Sequence, residues 1–276
     1  MIPLRIDHLT KSYGGRAAVD DLSLVIESGT VFGLLGRNGA GKSSTIACVL
    51  GLIRKSGGDV TLFGEPLQAR TFDRVAYVQE INVLDSWMTP HQHAEFRRRC
   101  YSRFDNALMA DLIERFEIDP MRTLRKMSKG QRQAVALALA FAQRPELMIL
   151  DEPASGLDPV LQRRLLDTIV SAAADGVTIV FSSHTIGHVE QAAERIGILD
   201  RGKLVLEANV DDLRASRFLV EAVFPDGRLE QRYCNGDVAE VEAQFHALSP
   251  TAVSRRPLTL EQVFFTTIGM TKEYRT

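Results

Sequence analysis

Val31-Phe32-Gly33-Leu34-Leu35-Gly36-Arg37-Asn38-Gly39-Ala40-Gly41-Lys42-Ser43 decides the reading of this chain. Val31 to Leu35 is an unbroken apolar run, the pattern of a strand buried on both faces of a sheet. It passes directly into Gly36–Ser43, a G-x-x-x-x-G-K-S sequence, with a helix expected from about Lys42. Glycines at 36, 39 and 41 let the backbone turn tightly and bring N–H groups close to phosphate oxygens. The helix N-terminus adds a favourable potential for an anion. Lys42 is placed to reach the β- and γ-phosphates of a nucleotide and Ser43 to ligate Mg²⁺. Arg37, Asn38, Ala40 and Ser44 belong to the same phosphate-cradling segment.

A second apolar run, Leu147 to Leu150, ends in Asp151-Glu152. Carboxylates there stand at the C-terminal edge of the sheet, where open α/β folds collect their ligands. Asp151 can hold a metal through its water shell, and Glu152 can polarise an attacking water. Phosphoryl transfer needs that kind of positioning and charge stabilisation rather than a covalent protein intermediate. Three further residues have two readings each. Gln79, after Val75–Val78, fits a Mg²⁺ ligand or ordinary loop surface; His184, after Phe181-Ser182-Ser183, fits a γ-phosphate contact or a structural histidine. Tyr13 fits an adenine platform or a plain turn residue.

Composition is that of a globular chain, with 45% hydrophobic and 25% charged residues. The 33 Lys and Arg nearly balance 35 Asp and Glu, which argues against a dedicated nucleic-acid binder. Arg97-Arg98-Arg99 reads as a solvated helix face or an interface. Cys48, Cys100 and Cys234 are widely spaced, the pattern of reduced thiols without a disulfide framework or zinc site. The N-terminus lacks the features of a signal peptide. The longest uncharged apolar stretch, Ala134 to Ala142, is about half of the ~20 residues that span a bilayer, so membrane action would require a partner.

Strand and helix patterns alternate along most of the chain, which predicts an α/β fold. Leu4 and Ile6, then Leu22, Leu24 and Ile26, alternate as short strands. From Thr89-Pro90 the pattern turns helical, giving a helical subdomain over about 89–143 with a helix running from Ser128 to Ala142. The main domain is expected over 1–214 and a small α/β appendage over 215–276. In the appendage, Phe218–Phe224 reads as a strand, Val238–Leu248 as a helix, and Thr259-Leu260-Glu261-Gln262 as a capping box.

Taken together these residues resemble the nucleotide-binding subunits of ATP-binding-cassette transporters, over roughly residues 4–210. Met127-Ser128-Lys129-Gly130-Gln131 is similar to that family's Leu-Ser-Gly-Gly-Gln signature loop, Ser155–Asp158 to its D-loop, and Gln79 and His184 fall at its Q- and H-loop positions. The resemblance implies a P-loop ATPase core with a helical subdomain. It also implies an ATP- and Mg²⁺-dependent hydrolase whose metal is held by Ser43, Gln79 and Asp151. Glu152 is then the general base, with Lys42 and His184 as its catalytic companions and Tyr13 stacking on adenine. A second copy, or a homologous ATPase subunit, would face the bound nucleotide with Ser128, Gly130, Gln131 and Asp158 in a head-to-tail dimer. Separate transmembrane permease subunits would dock beside the Q-loop, with Ile81, Val83, Leu84 and Trp87 either contacting them or packing inside the subdomain. The implied location is the cytoplasmic face of a bacterial cell membrane, and the exporters of drugs, antibiotics and lipids are the most similar group. A soluble cassette acting in translation or on nucleic acid is the alternative, without the second cassette or long coiled coil usual there. Lys129 departs from the signature pattern. It strains the loop if a positive φ is required there and is tolerated if not.

Overall fold

Two long hairpin strands open the chain, β1 (Leu4–Tyr13) and β2 (Arg16–Ile26). The sequence alternation shows only their ends, because each carries a bulge. His8 and Asp21 adopt φ of 51° and 57°, and pairing shifts register between Ile6 and Leu9. One extra residue moves the buried set from Leu4 and Ile6 to Leu9 on β1, and from Leu22 to Val19 on β2. With β4 (Gly57–Leu62) and β5 (Glu65–Pro66) these strands form an antiparallel sheet in the order β2-β1-β4-β5. Between them in sequence lie β3 (Val31–Gly36) and α1 (Lys42–Val49).

The next elements are β6 (Val75–Val78), α2 (Pro90–Cys100), α3 (Asn106–Arg115), α4 (Lys129–Ala142), β7 (Leu147–Leu150), α5 (Pro159–Ala174), β8 (Thr178–Ser183), α6 (Ile186–Ala192) and β9 (Arg195–Asp200). Strands β9-β3-β8-β7-β6 lie side by side in that order, all parallel. β3, β7 and β8 are buried along their whole length, as unbroken apolar runs predict. β9 packs without a side chain at Gly197, where a Cβ would meet Phe32 at 2.8 Å and Leu204 at 2.9 Å.

Helices α2, α3 and α4 pack on one another, and α4 also packs on β6. Each starts at a side-chain cap: Thr89 with Gln92, Asp105 with the Ala107 and Leu108 N–H groups, and Ser128 with Gln131. The arginine run on α2 is engaged locally, Arg98 with Glu95 and Arg97 with Gln143. No helix among the described residues is long and apolar enough to cross a membrane.

The computed structural model describes residues 2–81 and 83–270, and the chain divides into two compact units, one ending at Leu204 and the other starting at Val205. The boundary falls inside β10 (Lys203–Asn209), whereas the 214/215 division read from the sequence lies within α7 (Val210–Ser216). In the second unit β11 (Arg217–Val223) is flanked by β12 (Leu229–Asn235) and β13 (Ala252–Pro257) in an antiparallel sheet. Helix α8 (Val238–His246) covers one face through Val238, Val241 and Phe245, and α7 packs on α9 (Leu260–Thr267).

His93 ties the first turn of α2 to the loop before it, its Nε2 standing 3.1 Å from the Asp85 carbonyl. Burial pushes this imidazole below its usual pKa, against the opposing pull of the Asp85 carbonyl. A base whose folded pKa is depressed takes up its proton in the unfolded chain first. Its contribution to stability is therefore complete above the unfolded value of about 6.5 and is lost as pH falls through it. Between pH of about 7 and about 5 the unfolding free energy is expected to fall more steeply in the native chain than in His93→Gln, measured by urea titration at each pH.

Candidate active site

Neighbouring parallel strands deliver the chemistry to one edge. Val78 on β6 is level with Leu150 on β7, Leu150 with Phe181 on β8, and Leu35 on β3 with Ser183 on β8. The residues that leave these strands are Gln79, Asp151-Glu152, His184 and the loop after Gly36. They emerge at one edge: β6 and β7 end level with each other, and β8 and β3 run two to three residues further.

The loop from Gly36 to Gly41 is shaped by close approaches. A Cβ at Gly36 would meet the Leu199 carbonyl at 2.7 Å, and one at Gly41 the Ala18 carbonyl at 2.3 Å, with Gly41 at φ 113°. Gly41 starts α1, whose first turn has no side-chain cap and no acidic residue. Ser43 is exposed and Ser44 half-buried in that turn. The Lys42 ammonium, buried to 5% exposure, donates to the Gly36 carbonyl at 2.7 Å.

Lys42 also faces Glu152, with Nζ 3.3 Å from Oε1. Glu152 is itself 8% exposed and holds His184 Nδ1 at 2.8 Å through Oε2. Its Oε1 is buried and makes no hydrogen bond, so the contact with Lys42 is an ion pair and Oε1 keeps acceptor capacity in hand. The Glu152 backbone lies at φ 48°, a left-handed conformation uncommon for a residue with a side chain. Asp151 and Glu152 meet at Ser182, whose hydroxyl donates to Asp151 Oδ1 at 2.5 Å and accepts the Glu152 N–H at 2.9 Å. Burial, and after it the Asp151 carboxylate, pushes the Tyr77 phenol up to about 12. Burial holds His188 below its usual range even though Glu152 acts in the opposite sense.

Lys42, Asp151, Glu152 and His184 are thus brought together. A second constellation lies at the start of α4. Ser128 Oγ accepts the Gln131 N–H at 3.1 Å and Gln131 Oε1 the Ser128 N–H at 3.0 Å. A Cβ at Gly130 would meet the Gly156 carbonyl at 2.5 Å, so this helix start rests on the segment following Glu152. Asp158 caps α5, accepting from the Val160 and Leu161 N–H groups. Gln162 steadies the same segment by donating to the Ala154 and Leu157 carbonyls. Lys129 is the first residue of α4 and is absent from the positive-φ residues, so its backbone is unstrained. Its methylenes would lie 3.3 Å from a Cβ at Gly156. Tyr13 ends β1, 52% exposed as a residue, with Lys11 Nζ 4.6 Å from its ring centroid. Ile81, Val83 and Trp87 are exposed, Trp87 to 68%, so Trp87 does not pack inside the subdomain. Ser182 and Gln162 escape a reading of the sequence, since nothing local marks a buried serine or a helix glutamine as a bridge.

These residues suit a nucleoside triphosphate with Mg²⁺. The loop excludes every Cβ where the backbone must come close, α1 begins uncapped, and the donors offered are a hydroxyl, an amide and a carboxylate, which are hard oxygen ligands.

A family model described as "ABC transporter" matches residues 19–155. The uncharacterized ABC transporter ATP-binding protein YhaQ of Bacillus subtilis is 36% identical over 77% of this chain and 73% of its own length. The Nod factor export ATP-binding protein I of Rhizobium johnstonii is 31% identical over 98% of this chain and 97% of its own. A solved ATP-binding subunit of an ABC transporter superposes with a TM-score of 0.70 at 28% identity, covering 77% of this chain and 92% of that one. Sequence relatives, fold and phosphate loop agree, and the chain belongs to the ABC transporter family, as one of its ATP-binding subunits.

Proposed function

We propose that the chain hydrolyses ATP at Glu152 and drives membrane-spanning permease subunits as one of a pair of ATPase subunits, in the direction of export. The observation that carries the hydrolytic part is the Glu152 carboxylate: buried, hydrogen-bonded through Oε2 to His184, and with Oε1 left without a hydrogen bond. A general base needs an oxygen with acceptor capacity to spare and a partner that fixes its orientation. In this reading Gly36, Arg37, Asn38, Gly39, Ala40, Gly41, Lys42, Ser43 and Ser44 hold the phosphates, and Tyr13 stacks on the base. Ser43, Gln79 and Asp151 hold Mg²⁺. The metal would neutralise charge that develops on the phosphate oxygens. Lys42 moves its ammonium between Glu152 and the transferred phosphoryl group, and His184 donates to the same group. Ser128, Gly130, Gln131 and Asp158 serve the site of a second copy.

The export direction is supported by the match along nearly the whole chain, second unit included, to a protein named for Nod factor export. Exposed Ile81, Val83 and Trp87, on the segment that joins Gln79 to α2, support this as the permease contact. The pairing of subunits is supported by the α4 start, where Ser128 and Lys129 are exposed beside exposed Gly156 and Asp158 of the D-loop.

Glu152→Gln keeps the shape of the side chain and loses the base. Hydrolysis is expected to drop roughly 10²–10⁴-fold with nucleotide binding retained, and a long-lived MgATP-bound dimer to accumulate in sedimentation runs. A strictly monomeric variant that binds MgATP normally would contradict the mechanism. Lys42→Ala is expected to lose most hydrolysis and to weaken MgATP binding; near-native turnover would show the phosphate geometry to be wrong. Because the Lys129 backbone carries no strain, Lys129→Gly is expected to leave an active ATPase, with any change confined to dimerisation or to stimulation by the permease.

A further inference from the structure

Ser182 is the penultimate residue of β8 and is fully buried, at 0% exposure. A hydroxyl has one proton to give and two lone pairs. Here the proton goes to Asp151 Oδ1, at the short distance of 2.5 Å expected when the acceptor is charged, and a lone pair takes the Glu152 N–H at 2.9 Å. Ser182 therefore bridges both members of the acidic pair, one by side chain and one by backbone. The hydroxyl of the next residue, Ser183, bonds instead within its own turn, donating to the Thr185 carbonyl and accepting the Thr185 N–H. The bridge follows from register: Leu150 is level with Phe181, so Asp151 and Ser182 come next on adjacent strands.

We propose that Ser182 is a positioning residue for both halves of the reaction. Its hydroxyl fixes the Asp151 carboxylate in the orientation that receives Mg²⁺. The same oxygen pins the left-handed backbone at Glu152, which turns that carboxylate toward Lys42 and His184. Without the hydroxyl, Asp151 is free to rotate, and the Glu152 N–H loses its acceptor in a buried place. Outer hydrogen bonds of this kind are worth about 10–100-fold in metal affinity or activity where they have been removed from metal sites. This inference rests on the roles given above to Asp151 and Glu152.

The test uses the full chain and a fluorescent ATP analogue as probe, titrated with and without Mg²⁺, together with steady-state hydrolysis and thermal unfolding. Ser182→Ala is expected to bind the probe normally without Mg²⁺, to lose most of the gain in affinity that Mg²⁺ confers, and to show kcat lowered about 10–100-fold. Ser182→Thr, which keeps the hydroxyl, is expected to recover most of both. The inference is overturned if Ser182→Ala keeps the Mg²⁺-dependent gain and kcat within twofold. It is equally overturned if metal-free and Mg²⁺ binding fall in parallel with the unfolding temperature, as a packing defect would produce. Glu152→Gln is run beside it. If that variant hydrolyses ATP normally, the assignment of the base fails; if it is inactive while Ser182→Ala is normal, only the bridge fails.

Discussion

The register of the parallel strands is the constraint on which the rest depends. Gly33, Leu150 and Phe181 stand at matched heights on β3, β7 and β8, so the residues that follow these strands emerge at one edge. Parallel strands need long crossovers, and the chain spends those crossovers on α1, the α2–α4 subdomain and α5. The acidic pair is thereby separated by more than a hundred residues from the lysine it faces, yet reaches it at 3.3 Å. A slip of one residue in β7 would either put Leu150 at the site in place of Asp151 or, in the other direction, draw Asp151 into the sheet.

Close backbone approach is the second theme, and it links the two constellations. The Gly130–Gly156 contact lets the start of α4 sit directly on the segment that leaves Glu152. Gln162 holds that segment from the other side through the Ala154 and Leu157 carbonyls. Glu152 and Asp158 are thus ends of one short braced loop, at which the α2–α4 subdomain and the acidic pair meet.

How much of this was legible depends on the kind of signal. Unbroken apolar runs marked β3 and β7, the glycine-lysine spacing marked the phosphate loop, and Thr89, Ser128 and Thr259 marked helix starts by capping chemistry. Alternation failed where a bulge intervened, so β1 and β2 showed only their ends. It failed again at β9, whose Gly197 breaks the apolar run and makes sense only once Phe32 and Leu204 are seen to fill the space. The phosphate loop, acidic pair and His184 were readable as separate motifs. Their hydrogen bonds were not, because Ser182 acquires its meaning from a neighbouring strand. The question posed by Lys129 was one of φ, which residue identity alone does not answer.

The left-handed backbone at Glu152 has a consequence for how this protein can be improved. A side chain there carries a conformational cost of roughly 1–2 kcal/mol, and a buried carboxylate adds the cost of its desolvation. Glycine or asparagine would relieve the first and remove the second. A laboratory search that rewards robustness alone would therefore drift toward replacing this residue, and with it the proposed general base. The chain keeps a glutamate where folding would favour something else, a local disadvantage that accords with the role as base proposed for it.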